Sequence, residues 1–310
     1  MSNSKSVSDS AGGRAGGGAP MRVTYQGEPG ANSHIAALEV FQGAEPVACP
    51  TFEEALGLVK FGEAQRAMIP IENSVAGRVA DIHHLLPESG LYIIGEHFLR
   101  VRHQLMALPG TTLDQIKQVW SHTQALGQCR NTLRKLKMKP VPAADTAGSA
   151  RLVKERCDPT FAAIASALAA EIYGLEILKH DIEDEAHNTT RFVILSAEPD
   201  DAEPSNEPIV TTFVFRVRNV PAALYKALGG FATNGVNMTK LESYQLEGTF
   251  AATMFFADIE GHPATRPVQL ALEELSFFST EVRVLGCYRA SPFRAEVAKV
   301  RDAAAQARIT

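Results

Sequence analysis

Three short clusters of polar residues in this 310-residue chain have types and surroundings suited to chemistry. The first is Pro70-Ile71-Glu72-Asn73-Ser74, which closes the buried-type run Ala67-Met68-Ile69 and precedes a helical pattern. Strand ends in open α/β sheets are where ligands bind, and Asn73 and Ser74 there could hold a carboxylate beside free backbone N–H groups. Simple capping of the following helix fits the same residues. The second cluster is Ser121-His122-Thr123-Gln124, again between a strand and a helix. His122 and Gln124 could donate hydrogen bonds into a cleft, while Ser121 with Gln124 three residues later also matches a capping box. The third is Asn188-Thr189-Thr190-Arg191-Phe192, leading into the strand Val193-Ile194-Leu195. An arginine at a strand edge can grip a carboxylate through two N–H groups, and a hydroxyl beside it can pass a proton to a leaving group. A β-type Thr-Thr pair next to a surface arginine would look the same.

Other chemistries lack their residues. No GxGxxG follows a strand, and there is no phosphate-binding loop, GxSxG elbow or HExxH. Cys49, Cys129, Cys157 and Cys287 are widely spaced, with no CxxC pair and no histidines at zinc spacing. They read as reduced thiols, and no metal is expected. His83-His84 reads as an exposed helix face.

The elements that must position these clusters alternate between strand and helix. A strand over residues 22–26 is followed by the Gly27-Glu28-Pro29-Gly30-Ala31-Asn32-Ser33 loop and a helix through Ile35, Leu38 and Phe41. Further helices carry Val79, Ile82 and Leu85 on one face, and Leu126, Cys129, Leu133 and Leu136 on another. Such alternation predicts α/β sheets covered by helices. Residues 197–208, with three prolines and five acids, read as a linker. Beyond it come a strand at 211–217, a helix opened by Pro221 and running to Phe231, and strands at 236–246 and 249–257. A turn at Glu247-Gly248 joins those strands, and a helix at 266–275 and a strand at 281–285 complete the ferredoxin-like βαββαβ order. Residues 1–20 read as a disordered tail, and residues 291–310 as a charged, alanine-rich one.

Composition closes off several partners. The chain is 45% hydrophobic and 21% charged, and long enough for two cores. A net charge of −5 argues against nucleic acid, which needs concentrated Lys and Arg. No apolar run approaches the ~20 residues of a membrane span. A cytoplasmic protein acting on a small molecule is the expectation.

Together the clusters resemble prephenate dehydratase over nearly all of residues 21–290. The matching stretches are Tyr25-Gln26-Gly27-Glu28-Pro29-Gly30-Ala31-Asn32-Ser33, Ile69-Pro70-Ile71-Glu72-Asn73-Ser74 with Gly77, Ser121-His122-Thr123-Gln124-Ala125-Leu126, Ala162-Ala163-Ile164-Ala165-Ser166 and Thr190-Arg191-Phe192. The resemblance implies a catalytic domain at 21–198, made of two α/β lobes like a periplasmic solute-binding protein, with the site between them. A regulatory ACT domain at 209–290 would follow. Thr190 is the residue the resemblance ties most closely to catalysis. Asn73, Ser74, His122 and Gln124 would line the pocket, and Arg191 would anchor a substrate carboxylate or brace the lobes. The implied reaction removes the ring hydroxyl and ring carboxylate of prephenate to give phenylpyruvate. Aromatisation drives it, so no cofactor is required. L-Phenylalanine is the implied effector, at a site mapping to Ala223, Leu224, Glu242 and Ser243, in a homodimer or homotetramer. Tyr244-Gln245 stands where the family often has Arg-Pro, and Thr123 where many members have proline. Arogenate dehydratase is the close alternative, and a non-catalytic ligand sensor is the alternative from another class.

Overall fold

The computed structural model describes residues 19–185, 187–218, 220–245 and 253–306. The N-terminal part alternates as expected: β1 (Arg22–Gln26), α1 (Asn32–Val40), β2 (Glu45–Cys49), α2 (Phe52–Lys60), β3 (Arg66–Asn73), β4 (Gly77–Arg78), α3 (Ala80–Ser89) and β5 (Tyr92–Arg100). The middle part continues with β6 (Gln104–Ala107), β7 (Gln118–His122), α4 (Thr123–Gln128), α5 (Arg130–Lys135), β8 (Lys139–Ala143), α6 (Thr146–Arg156), β9 (Phe161–Ala165), α7 (Ala167–Tyr173) and β10 (Glu176–Lys179). The chain then returns as β11 (Thr189–Ser196).

These strands form two sheets, hence two lobes. Lobe I is ordered β2-β1-β3-β11-β5, with β4 paired to β3, and lobe II is β10-β6-β9-β7-β8. The chain passes from lobe I to lobe II through residues 101–103 and back through 180–188, so two segments join the lobes. β1 pairs in parallel with β2 and β3, as βα crossovers require. The returning β11 instead runs antiparallel between β3 and β5, which puts Thr190 opposite Asn73. That insertion brings two of the three polar clusters side by side.

A third sheet follows, from β12 (Ile209–Val217), α8 (Ala223–Thr233), β13 (Met238–Gln245), β14 (Thr253–Glu260), α9 (Arg266–Phe278) and β15 (Ser279–Arg289), ordered β13-β14-β12-β15. This is the expected ferredoxin-like βαββαβ. Phe213, Phe215, Phe231, Phe255 and Leu275 fill the core beneath its helices. The opposite face, with Val210, Val214, Phe256 and Tyr288, shares one core with lobe I. Contact there is close: Gly286 of β15 lies on the backbone of Ile93 in β5, where a Cβ would collide. The Glu247-Gly248 turn and residues 1–18 lie outside the described residues. The C-terminal segment forms helix α10 (Pro292–Gln306), whose first turn docks on lobe I. Phe293 stacks on Phe98 at 4.7 Å, and Arg294 binds Glu96. No described helix is long and apolar enough to cross a membrane.

The loop after β1 ties the lobes together. Glu28 pairs with Arg151 of α6 at 3.0 Å, Ser166 Oγ donates to the Gly30 carbonyl at 2.6 Å, and Tyr173 donates to the Pro29 carbonyl at 3.1 Å. Gly30 has φ +90°, and a Cβ would sit 2.6 Å from the Ala169 Cα. Gly30→Ala is expected to lose about 1–3 kcal/mol of stability in urea unfolding. Gly57→Ala, in helix α2 with open space at its Cβ, should instead be neutral or gain roughly 0.5–1 kcal/mol. Equal effects from the two substitutions would show that the contact carries no constraint.

Candidate active site

A cleft of about 320 Å³ opens between the lobes. Lobe I contributes Asn32, Ser33, Asn73 and Thr190, lobe II contributes His122, Gln124, Gln128 and Thr146, and His103 enters from the crossing segment. Asn73 and Thr190, 117 positions apart, therefore meet beside one space.

At its centre Asn73 is held rigidly by its own turn. Its Oδ1 accepts from the N–H groups of Val75 and Ala76 at 3.0 and 2.8 Å, which fixes the amide's orientation. The Nδ2 must then point the other way, and it donates to Thr190 Oγ1 at 2.9 Å and to Asn188 Oδ1 at 2.8 Å. With one lone pair of Thr190 occupied by a donor, its own hydroxyl proton is left for a guest in the cleft. Asn188 Nδ2 donates onward to Gln128 Oε1 at 3.0 Å. The same Oε1 accepts from His103 Nε2 at 2.7 Å, so that nitrogen carries the proton. Burial pulls the His103 pKa down against the opposing pull of Gln128 and Glu183, which favours a neutral ring. Gln128, Asn188 and Asn73 thus link lobe II to Thr190 in one hydrogen-bonded network, with Gln128 Oε1 accepting at one end and Thr190 Oγ1 at the other.

The cleft lining contains no Arg or Lys among the described residues, and its one carboxylate, Asp145, caps α6 by accepting from Gly148 N at 2.6 Å. Positive potential comes from backbone instead. Helix α1 has no side-chain cap, so the N–H groups of its first turn face the cleft at Asn32 and Ser33. The start of α6 also lies at the cleft, at Thr146, but there the Asp145 carboxylate already occupies the cap, so α1 is the open N-terminus. Helix N-termini of this kind hold anions. His122 caps α4 by accepting from Gln124 N at its Nδ1, 3.3 Å away. The neutral ring then carries its proton on Nε2.

The expected capping box is corrected: Ser121 Oγ donates to the Ile164 carbonyl at 2.6 Å, and His122 takes the cap. Asn73, His122, Gln124 and Thr190 all line the cleft, but Ser74 and Arg191 do not. Ser74 Oγ donates to the His187 carbonyl and accepts from Thr189 N, pinning the second crossing segment to β3. Arg191, expected as a carboxylate clamp, points to the other face of the sheet because side chains alternate along a strand. Its guanidinium, 3% exposed, meets Asp258 at 2.5 Å, Glu96 at 2.8 Å, Glu72 at 2.9 Å and Tyr288 at 2.9 Å. It braces lobe I against the third sheet, not one lobe against the other.

Lys240 and Arg294 complete this cluster, binding Glu72 and Glu96 at 2.6 Å each. Three cations face three carboxylates, with Thr212 donating to the far oxygen of Asp258. Burial raises the Glu72 pKa, but Arg191 and Lys240 outweigh it and hold the carboxyl down at about 2. Burial likewise works against the Arg191 charge, and the surrounding carboxylates more than restore it.

Of the residues expected to hold an effector, Ala223 and Leu224 open helix α8, while Glu242 and Ser243 lie on β13. No hydrogen bond joins the two pairs among the described residues. Arg78 of β4 reaches Glu242 at 3.8 Å and the Ser243 carbonyl at 2.8 Å. Sequence reasoning missed Asn32, His103 and Gln128. Gln128 had a signal, since it lies four residues after Gln124 and so on the same helical face. His103 sits in a connecting segment where no periodicity points to it.

The comparisons with known proteins agree with this geometry. The prephenate dehydratase family matches residues 23–200. A relative in Komagataeibacter europaeus, named a bifunctional N-acyl-homoserine lactone acylase/prephenate dehydratase, is 51% identical over 88% of this chain and 97% of its own. An Arabidopsis thaliana relative, named arogenate dehydratase/prephenate dehydratase 1, is 38% identical over 86% of this chain and 72% of its own. The crystal structure of prephenate dehydratase from Arthrobacter aurescens, in complex with L-Phe, superposes with a TM-score of 0.80 at 31% identity, covering 91% of this chain and 99% of that one. A two-lobed dehydratase with a further βαββαβ unit is the class that fold and comparisons define. The chain belongs to the prephenate dehydratase family.

Two outcomes follow from the charge cluster. Arg191→Met leaves buried carboxylates unpaired, and is expected to cost about 3–5 kcal/mol in denaturant unfolding. A loss under 1 kcal/mol would mean the cluster braces nothing. Because the folded pKa of Glu72 lies below its unfolded value, its contribution is present above about pH 4.5 and is lost as pH falls toward 2. In Glu72→Gln that segment of the stability–pH curve should be flatter than in the parent; an unchanged slope rules the linkage out.

Proposed function

We propose that the protein converts prephenate to phenylpyruvate, carbon dioxide and water in phenylalanine biosynthesis. The observation that carries this reading is the Asn73–Thr190 hydrogen bond at the centre of the interlobe cleft. Prephenate carries two carboxylates, and the uncapped α1 N-terminus, His122 and Gln124 offer neutral or dipolar donors on opposite walls. Neutral donors suit a reaction that must release one carboxylate as carbon dioxide: a tight arginine pair would stabilise the charge that has to leave.

Thr190 hydrogen-bonds the departing ring hydroxyl and passes it a proton. The C–O bond breaks as the ring carboxylate's C–C bond supplies electrons to the ring, giving an aromatic product. One proton is consumed and the oxygen departs as water. Asn73, by donating to Thr190 Oγ1, offsets the negative charge that develops there. Positioned proton transfer of this kind contributes roughly 10²–10⁴-fold.

Arogenate, with an amino group in place of the pyruvyl carbonyl, is the second substrate to test, since the plant relatives carry that name. The acylase activity in the name of the 51% identical relative is a third. No serine or cysteine is hydrogen-bonded to a histidine side chain among the described residues, so an activated acyl nucleophile is not preformed. Regulation by phenylalanine is proposed at an ACT-type unit made of the third sheet, in a dimer or tetramer. It rests on the L-Phe complex of the Arthrobacter protein and on Glu242 and Ser243.

Purified protein incubated separately with prephenate and arogenate should form phenylpyruvate from the first. Thr190→Ala should cut that turnover at least ~100-fold with an unchanged melting temperature. Near-normal turnover in the variant removes Thr190 from the mechanism, and no product from either substrate removes the dehydratase reading. Millimolar L-phenylalanine should lower the parent rate; equal rates with and without it count against the regulatory reading.

A further inference from the structure

A second cavity, of about 260 Å³, lies between lobe I and the third sheet, away from the cleft. Its floor is one transverse row of that sheet: Tyr244 of β13 pairs with Met254 of β14, Met254 with Arg216 of β12, and Arg216 with Glu281 of β15. Arg283 stands beside this row on β15. His84 and Glu88 on α3 form the roof. The cavity is therefore built half by the catalytic lobes and half by the βαββαβ unit.

Its lining holds two guanidiniums and two carboxylates, on Arg216, Arg283, Glu88 and Glu281. None of the four side chains has an ion-pair or hydrogen-bond partner among the described residues, although opposite charges share one small space. Tyr244 is only 5% exposed, its ring packs edge-on against His84 at 4.9 Å, and its hydroxyl is buried without a partner. The charged groups acting on that hydroxyl are Arg283, Glu281, Glu88 and Arg216, the same four that line the cavity. The Nε of Arg216 is also buried and unpartnered. Unmade hydrogen bonds at buried groups cost about 1–3 kcal/mol each, so a ligand completing them would be favoured. Glu88 adds a directional cue. It lies in the last turn of α3, which has no basic residue and whose dipole disfavours an acid there. A cation beside Glu88 would relieve both.

We propose that this cavity binds a free α-amino acid, its carboxylate held by Arg216 and Arg283 and its ammonium by Glu88 and Glu281, with the Tyr244 hydroxyl donating to the carboxylate. Two guanidiniums and one carboxylate on the floor, with a second carboxylate on the roof, give the balanced charges that select a zwitterion over a plain anion or cation. The site is distinct from the interlobe cleft and from Ala223, Leu224, Glu242 and Ser243. A ligand here would touch α3 of lobe I and three strands of the third sheet at once, and so would bind only when the two are docked.

The test is calorimetric titration of the full chain with each proteinogenic L-amino acid, alongside Glu88→Gln and Arg283→Gln. These substitutions lie on different domains and outside the cleft, so if one unfolds the protein the other decides alone. At least one amino acid should bind the parent, and each folded variant should bind it about tenfold or more weakly, the loss expected of one charge-assisted hydrogen bond. The matching 2-oxo acid and the matching amine, each lacking one charge, should bind weakly as well. No amino acid binding the parent at millimolar concentration overturns the assignment. So does parental affinity in either folded variant for every amino acid that binds, which would put all binding at another site, such as the one proposed for phenylalanine.

Discussion

The buried guanidinium of Arg191 is the point on which the arrangement of the molecule depends. Taking such a charge out of water is tolerable only because Asp258, Glu96 and Glu72 surround it and Tyr288 accepts a further N–H. Those partners come from β3, β5, β14 and β15, so satisfying one side chain requires lobe I and the third sheet to be docked in one way. Helix α10 enters the same account through Arg294 and Glu96. Apolar packing around Val214, Phe256 and Leu285 supplies attraction without direction, and the ion cluster supplies register.

The cluster also stands one residue from the interlobe cleft. On β11 Arg191 and Thr190 are neighbours facing opposite sides of the sheet, and on β3 Glu72 and Asn73 are likewise neighbours. The pairs Thr190–Asn73 and Arg191–Glu72 are adjacent rungs of one antiparallel ladder. The hydroxyl that faces the cleft and the charge that faces the third sheet therefore share a backbone.

Much of this was legible in the sequence. Alternating strands and helices up to residue 196, and βαββαβ beyond 208, follow from periodicity and turn residues, and the sheets match. His122 and Gln124 sit at a strand–helix junction, where folds of this type place ligands, whereas Asn73, at the turn from β3 to β4, and Thr190, at the start of β11, were marked as site residues by the family resemblance. The role of Arg191 was not legible, since its face depends on the register of β11 against β3, which contains a shift between Arg191 and Phe192. Ser74 was misread for a related reason: its partners, His187 and Thr189, come from a segment more than a hundred residues away. His103 and the docking of α10 depend wholly on tertiary contacts that no local pattern encodes. The cap at His122 shows how finely such choices are balanced. Ser121 has the better capping side chain, yet burial against Ile164 claims its hydroxyl first.

The network from Gln128 to Thr190 has one further consequence. Gln128 rides on lobe II, Asn73 and Thr190 belong to lobe I, and Asn188 sits in the segment that crosses between them. Were the lobes to part, only the bond from Asn188 to Gln128 would have to break, because Asn73 is fixed by the N–H groups of its own turn and carries Thr190 with it. A molecule wired this way keeps that corner preset on one jaw, and only its tie to the other jaw comes and goes.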